Sequence, residues 1–450
     1  MASLNAVILA AGKGTRMKSD IHKVLHPIGG MAMIDHVLNT LSVASSGKRV
    51  VVVGDKREQV EAALSDVDFA LQENPNGTGH AVQCAEGTLK GVSGDVLVLC
   101  GDVPLIKAET ISALIDASTS TSAKKPAIVV LGFRAANPTG YGRLVLDGKG
   151  DLETIVEEKD ASDAVRGLDL CNSGTMVFDG TLIFDILSEL KTDNAAGELY
   201  LTDAIAIAKS RGLRCTVVEC SEDEVIGVNS RADLAKAEKI FQTRMRNKAM
   251  DNGATLLDPD TTYFSADTEL GQDVTIAPNV VFGPNVRIGN GTIIHAHCHI
   301  EGATVAQGCQ IGPFARLRPG TDLHDEAKVG NFCEVKKATI EEGAKVNHLS
   351  YIGDARVGAK ANIGAGTITC NYDGFNKSFT DIGAGAFIGS NTSLVAPVKI
   401  GDGALVGAGS VITKDVGAGD MAVVRAEHRS IKGWAKKFRE KQLAKKSQKG

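Results

Sequence analysis

The run LGQDVTIAPNVVFGPNVRIGNGTIIHAHCHI, residues 270–300, carries a large apolar residue at every sixth position: Leu270, Ile276, Phe282, Ile288, Ile294 and Ile300. The beat returns at Ile311, Leu317, Leu323, Val329 and Val335, and again at Ile382, Ile388, Leu394, Ile400, Val406 and Ile412. Glycine follows many of these positions, as at Gly271, Gly283, Gly289, Gly312, Gly330, Gly383, Gly389, Gly401 and Gly407. A six-residue period fits neither a helix of about 3.6 residues per turn nor an alternating strand. It fits a solenoid with one flat edge per hexad, so a parallel β-helix is predicted over about 251 to 424. The steps Ile300 to Val305, Val335 to Ile340 and Ile352 to Val357 are five residues long, and the beat resumes after each. With coils ~4.8 Å apart, roughly seven to eight coils would form a prism on the order of 35 Å long. Regularity breaks between Ile363 and Ile382, so the surplus around Cys370-Asn371-Tyr372-Asp373-Gly374 is expected to leave the prism as a loop. Loops carried on a rigid scaffold are where function tends to be placed.

Outward from this repeat, the bulk numbers narrow the class. A chain of 450 residues exceeds one ordinary core, so two or three domains are expected. Its formal charge of −5 argues against a general nucleic-acid binder. Nine cysteines without a CxxC pair fit reduced thiols rather than a disulfide framework. No apolar run approaches the ~20 residues of a membrane span, and the Asn5–Ala11 stretch reads as a first strand rather than a signal peptide. A cytoplasmic protein with no membrane insertion is expected.

Residues 1–229 alternate strand-like runs (Ala6–Ala10, Val50–Val53, Val96–Cys100, Ala127–Leu131, Thr175–Phe178, Thr216–Val218) with helical patterns such as Met33–Ser42 and Ala108–Ala117. That order predicts an α/β domain with a mostly parallel sheet and ligands at the carboxyl ends of its strands. Ser230 and Asp233 form an N-cap pair for a linker helix over 230–250, ahead of a third segment, 251–450. The segment from Arg425 is basic and holds the only tryptophan, Trp434. It reads either as a solvated terminal helix or as an arm closing over an anionic ligand.

The first strand runs into Gly12-Lys13-Gly14-Thr15-Arg16, a turn whose glycines let backbone N–H groups approach a polyphosphate while Lys13 and Arg16 add positive charge. It has neither Walker A spacing nor the third glycine of the dinucleotide fingerprint, since Met17 stands there. The strand Val96–Cys100 ends in Gly101-Asp102, a carboxylate at a sheet mouth that suits Mg²⁺. The whole stretch LAAGKGTRM (residues 9–17), with Lys23 and Pro27 behind it, resembles the signature of sugar-1-phosphate nucleotidyltransferases. Gln72-Glu73-Asn74-Pro75-Asn76-Gly77-Thr78-Gly79-His80 resembles the base-reading loop of the uridylyl-transferring members. Tyr141-Gly142-Arg143, Ile155–Lys159, Asn172-Ser173-Gly174 and Gly227-Val228-Asn229 match the same family in order. The resemblance implies a Rossmann-like domain in which Leu9, Ala10, Ala11, Gly12, Gly14 and Lys23 hold UTP and Gln72, Gly77 and Thr78 read uracil. It also implies that Gly142, Glu157 and Asn172 bind the sugar, that Asp102 and Asn229 bind Mg²⁺, and that Arg16 and Lys23 act in catalysis.

In the repeat domain, polar residues accumulate between Arg318 and Lys377. Arg318, Lys336, Tyr351, Asn362 and Lys377 are outward by the hexad register, and three cations there suit a sugar phosphate. The run Arg316–Gly320, Gly330-Asn331-Phe332, Lys336-Lys337, His348 and Asn371–Gly374 closely resembles the acetyltransferase half of the bacterial bifunctional enzymes that make UDP-N-acetylglucosamine. That resemblance covers essentially the whole chain. It implies a left-handed β-helix, a homotrimer, His348 as general base, and glucosamine-1-phosphate on Arg318, Lys336, Tyr351, Asn362 and Lys377. It further implies acetyl-CoA contacts at Ala365, Asn371, Tyr372, Ser390, Ala408 and Arg425.

His295, His297 and His299 fall outside the family pattern. Alternate histidines could hold a metal, but Cys298, two before Ile300, should point inward and leave them outside without a carboxylate cluster. Two narrower functions compete with the bifunctional one. A nucleotidyltransferase using the β-helix only as scaffold would need neither His348 nor the Asn371–Gly374 loop. A non-catalytic translation-factor subunit would need neither LAAGKGTRM nor Asp102.

Overall fold

Short runs such as Val-Leu-Val-Leu at 96–99 are apolar throughout because both faces of the sheet they enter are covered. Alternate side chains enter different cores: Val7, Val50, Val52 and Val98 pack on one side, and Ile8, Val51, Val53 and Leu97 on the other. The computed structural model describes residues 4–44, 47–120, 124–194 and 196–448. Two units make up the chain: Met1–Asn247 with Phe264–Ala266, and Lys248–Tyr263 with Asp267–Gly450.

In the first unit the strand order is Cys215–Cys220, Ile128–Arg134, Leu170–Phe178, Val96–Cys100, Asn5–Ala10, Arg49–Val53 and Asp68–Leu71. Asn5–Ala10 is parallel to both Arg49–Val53 and Val96–Cys100, which brings Ala11-Gly12 and Gly101-Asp102 to one edge. Leu170–Phe178 alone on this path runs antiparallel to both its neighbours. It also pairs with Arg143–Leu146, which in turn pairs with Leu152–Val156. The strands Asp68–Leu71, Arg143–Leu146 and Leu152–Val156 were not among the predicted ones. They are short and partly exposed, so they carry little continuous apolar signal.

The helix Arg231–Asp251 starts at a side-chain cap. Asp233 Oδ2 accepts from Ser230 N and Ser230 Oγ, each at 2.8 Å, and Asp233 N donates to Ser230 Oγ at 3.2 Å. The same carboxylate accepts from Asn229 N at 3.1 Å, so the cap also fixes the backbone of a predicted metal ligand.

The second unit is a parallel β-helix. One face is a ten-stranded sheet from Thr255–Leu256 to Met421–Ala422. Nine steps of ~4.8 Å give roughly 43 Å, longer than the predicted seven to eight coils. The first and last strands of this face, Thr255–Leu256 and Met421–Ala422, lie outside the Leu270–Ile412 beat from which the coils were counted. Each hexad has two inward positions, a large aliphatic and a small residue two places earlier. The small column runs Cys298, Ala315, Cys333, Ser350, Thr367, Thr392 and Ser410, linked rung to rung by backbone hydrogen bonds. Coil-to-coil closeness explains the glycines: a Cβ at Gly330 would stand 1.9 Å from Asn347 O. Two five-residue steps fall inside one continuous run, Glu334–Ile340 or Tyr351–Val357, which turns its corner on a single left-handed residue, Lys337 at φ 45° or Asp354 at φ 47°.

The predicted loop begins later than expected. Thr369 is fully buried and the strand Ile368–Cys370 pairs with Ser393–Val395, so one further edge lies inside the prism. A threonine at an aliphatic position hid that edge. Phe375, at the loop's tip, is 92 % exposed, whereas Asn371 at its base is buried and donates to Asp354 Oδ2 at 2.5 Å. Asn371 is therefore a hydrogen-bonded anchor and not a free loop residue.

Candidate active sites

In the first unit a cleft of about 290 Å³ opens at the carboxyl ends of the parallel strands. Leu9, Ala10, Ala11, Gly12, Lys23, Gln72, Gly77, Thr78 and Asp102 all line it, although they are spread over nearly a hundred residues of sequence. Lys23 Nζ donates to Asp102 Oδ2 and, at 3.3 Å, to Asn229 Oδ1. Val228 N donates to Asp102 O at 2.9 Å, so two distant segments meet at this cation. Gly14 and Arg16 follow in the loop without lining the cleft, and Arg16 is exposed.

Gly142, Glu157 and Asn172 form a neighbouring group. Asn172 N donates to Gly142 O at 2.8 Å, and a Cβ at Gly142 would stand 3.3 Å from both Glu157 carboxylate oxygens. Burial raises the Glu157 carboxyl above its ordinary range, while a 3.1 Å hydrogen bond from Thr202 Oγ1 works against that. The sequence reading missed the segment Glu198–Thr202. Glu198 lines the cleft, Leu199 O accepts from Gly79 N at 2.8 Å, Leu201 N donates to Thr78 Oγ1 at 3.1 Å, and Thr202 reaches Glu157. One segment thus ties the Gly77–Gly79 turn to the Glu157 group. Its sequence, Glu-Leu-Tyr-Leu-Thr, carries no motif with a mechanism of its own.

In the β-helix, Arg318 Nη1 donates to Glu334 Oε1 at 2.7 Å. Lys377 beside it, and then Arg318, hold the Lys336 ammonium below its ordinary range. Tyr351 joins this group through Asn371 Nδ2, 3.5 Å from its hydroxyl. Three cations thus share one patch, and Arg318 Nε is buried without a partner. Asn362 sits half-buried on another face, between Lys345 and Phe387.

His348 is exposed, and its Nδ1 lies 2.6 Å from Asn331 Oδ1 on the preceding coil. An amide oxygen only accepts, so Nδ1 carries the proton and Nε2 keeps its lone pair for solvent or substrate. Nothing in the sequence by itself gives Asn331 a role. Only the coil register, which pairs Asn331 with His348, reveals one. The same corner continues upward: Gly366 N donates to His348 O, Asn391 N to Ala365 O, and Gly409 N to Ser390 O. Arg425 Nη1 donates to Ala408 O at 3.0 Å. His348, Ala365, Ser390, Ala408 and Arg425 therefore line one edge. Tyr372 is 60 % exposed and bonds to Gly374 O through its hydroxyl.

His295, His297 and His299 are exposed while Cys298 is buried, and no cluster of metal-ligating side chains occurs among the described residues. His297 instead stacks on Phe314 at 4.7 Å, and Phe314 on Phe332 at 5.0 Å. The helix Trp434–Ser447 is exposed along its length.

Residues 6–169 match the MobA-like NTP transferase domain, and residues 267–302 and 379–414 match the bacterial transferase hexapeptide repeat. The protein is thus a nucleotidyltransferase domain followed by a hexapeptide-repeat transferase domain, and its prism is a left-handed β-helix. Over 448 residues it is 54 % identical to the bifunctional protein GlmU of Paramagnetospirillum magneticum, covering 100 % of this chain and 99 % of that one. The GlmU of Sphingopyxis alaskensis is 55 % identical over 443 residues, 98 % of each chain. That of Zymomonas mobilis is 50 % identical over 445 residues, again 98 % of each. The chain belongs to the bifunctional GlmU family and is a bifunctional transferase.

Proposed function

We propose that this chain makes UDP-N-acetylglucosamine in two steps. The β-helix transfers acetyl from acetyl-CoA to glucosamine-1-phosphate, and the first unit then transfers uridylyl from UTP to the acetylated product. What carries the reading is the convergence of nine predicted nucleotide and metal residues on a single cleft.

In that cleft a phosphate oxygen of the sugar phosphate attacks the α-phosphorus of UTP in line. A new P–O bond forms as the bond to the bridging oxygen breaks, and pyrophosphate leaves. Positioning and charge neutralisation supply most of the rate. Asp102 and Asn229 fit a divalent cation: both offer hard oxygens, and both already share one cation, the Lys23 ammonium. Mg²⁺ held there would offset charge on the phosphates. Lys23 and Arg16 add to that neutralisation, while Glu157, Asn172 and Gly142 take the sugar.

At the second site the cations Arg318, Lys336 and Lys377 suit the phosphate. Tyr351 is assigned to the same sugar phosphate; Asn362, on another face, is assigned to it through a neighbouring copy of the chain. His348 Nε2 accepts a proton from the sugar's amino group, whose nitrogen bonds to the thioester carbonyl while the CoA thiolate departs. From His348 to Ala408 the corner climbs three coils, roughly 14 Å, a reach suited to an extended cofactor arm. Asn371 and Tyr372 complete that site.

A homotrimer is proposed as the working assembly. The stacked edge His297, Phe314 and Phe332, continued by the exposed Leu349, supports a covered face. Nine free thiols favour the cytoplasm.

The deciding experiment supplies acetyl-CoA, glucosamine-1-phosphate, UTP and Mg²⁺ to purified protein and follows CoA and pyrophosphate separately. Both should appear, with pyrophosphate release depending on prior acetylation. Pyrophosphate without CoA would reduce the β-helix to a scaffold.

A further inference from the structure

We propose that His80 is a positioning residue that fixes which end of the Gln72 amide meets the nucleotide base, and so sets the base selectivity of the cleft. This rests on the uridylyl-transfer reading above.

Gln72 is 6 % exposed and lines the cleft with Gly77 and Thr78. A primary amide has one accepting oxygen and two N–H donors. Both donors of Gln72 are spent within the protein: Nε2 lies 3.1 Å from Gly77 O and 3.1 Å from His80 Nδ1. Gly77 O can only accept, which sets the direction of the amide independently of the imidazole. His80 Nδ1 must then be the lone-pair nitrogen, with the ring proton on Nε2, the atom 3.9 Å from Cys84 Sγ. Both partners of the amide sit in or beside the first turn of one helix, Thr78–Gln83, so their spacing is rigid.

The consequence is chemical. With both N–H groups engaged, Gln72 can offer a base only its oxygen. Uracil carries N3–H and donates to that oxygen, whereas cytosine carries a lone pair at N3 and is repelled. Turning the amide over to greet cytosine would break two hydrogen bonds and set Oε1 against Gly77 O and the Nδ1 lone pair. Without an acceptor at residue 80, one of those obstacles remains and the turn becomes cheaper. His80 thus acts through Gln72, without touching the base itself.

The test compares kcat/KM for UTP and CTP in the full-length chain, in His80→Leu and in His80→Asn, whose amide oxygen can stand where Nδ1 stands. In His80→Leu the UTP-to-CTP ratio should fall roughly five- to tenfold, the size of one net hydrogen bond. The change should lie in the nucleotide KM, with the KM for the sugar phosphate and the rate of CoA release unaltered. His80→Asn should recover most of the ratio. ¹⁵N NMR of the unsubstituted protein should show the His80 proton on Nε2, a readout that does not depend on whether a variant folds. A proton on Nδ1, an unchanged ratio in His80→Leu, or an asparagine variant no better than the leucine one overturns the proposal. Failure of the unsubstituted protein to use UTP at all would instead remove the uridylyl-transfer reading.

Discussion

At the scale of single residues, the chemistry of His348 is set by one neighbour. Asn331 Oδ1 holds the proton of His348 on Nδ1, leaving the Nε2 lone pair for the proposed base role. His348→Ala should cut CoA release ~10²–10⁴-fold, the usual worth of general-base catalysis, while pyrophosphate release from supplied N-acetylglucosamine-1-phosphate continues. Asn331→Ala should lower kcat for CoA release by about tenfold with little change in KM, because a loosened imidazole is only part of the time in the correct tautomer. Steady-state kinetics on both variants would check this, and a full-rate Asn331→Ala enzyme would sink the positioning role. Glu157 behaves differently. Its raised carboxyl means that the native state holds the proton more firmly than the unfolded chain does. The charged form therefore costs stability that is absent below the unfolded value, near pH 4, and complete above the folded one. Glu157→Gln is expected to melt at an equal or higher temperature at pH 7.5, with that advantage vanishing near pH 4, and to raise the KM for the sugar phosphate. Melting curves at the two pH values would show it, and a lower melting temperature at pH 7.5 would contradict the burial argument.

At the scale of elements, the start of the helix Arg231–Asp251 links a cap to a site. Asp233 accepts from Ser230 and from Asn229 N, so the residues that begin the helix also set the backbone of a proposed metal ligand. Asp233→Ala should cost about 0.5–2 kcal/mol, as loss of an N-cap does. It should also raise the Mg²⁺ concentration needed for half-maximal pyrophosphate release, with CoA release unaffected. Thermal unfolding and a Mg²⁺ titration would measure the two effects. An unaltered titration beside a lowered melting temperature would confine Asp233 to capping. The hexads make a similar point: the corner that sets Asn331 beneath His348 also sets Ala365 and Ser390 above it, so coil register aligns the proposed base with the proposed cofactor residues.

At the scale of the whole molecule, each proposed activity draws its residues from one of the two units. Asp102→Ala should therefore abolish pyrophosphate release and leave CoA release within about twofold of normal, as expected where two sites share no residues. Parallel assays of the two products would decide it, and loss of both would show that the units are coupled.

The β-helix was legible in the sequence because a six-residue beat has no other economical structure, and the sheet because its strands are apolar on both faces. LAAGKGTRM, Asp102 and His348 stood out because the first two lie where predicted strands end and all three fall in runs that resemble known transferases. Other features needed the folded chain. Thr369 concealed a prism edge because a hydroxyl at an inward position looks like loop sequence. Asn331 became the partner of His348, and Thr202 that of Glu157, only when residues 17 and 45 positions apart were brought within hydrogen-bond reach. Side-chain type travels with the sequence. Hydrogen-bond direction, coil register and the burial that shifts a carboxyl depend on neighbours that the sequence does not place, and these the tertiary structure decided.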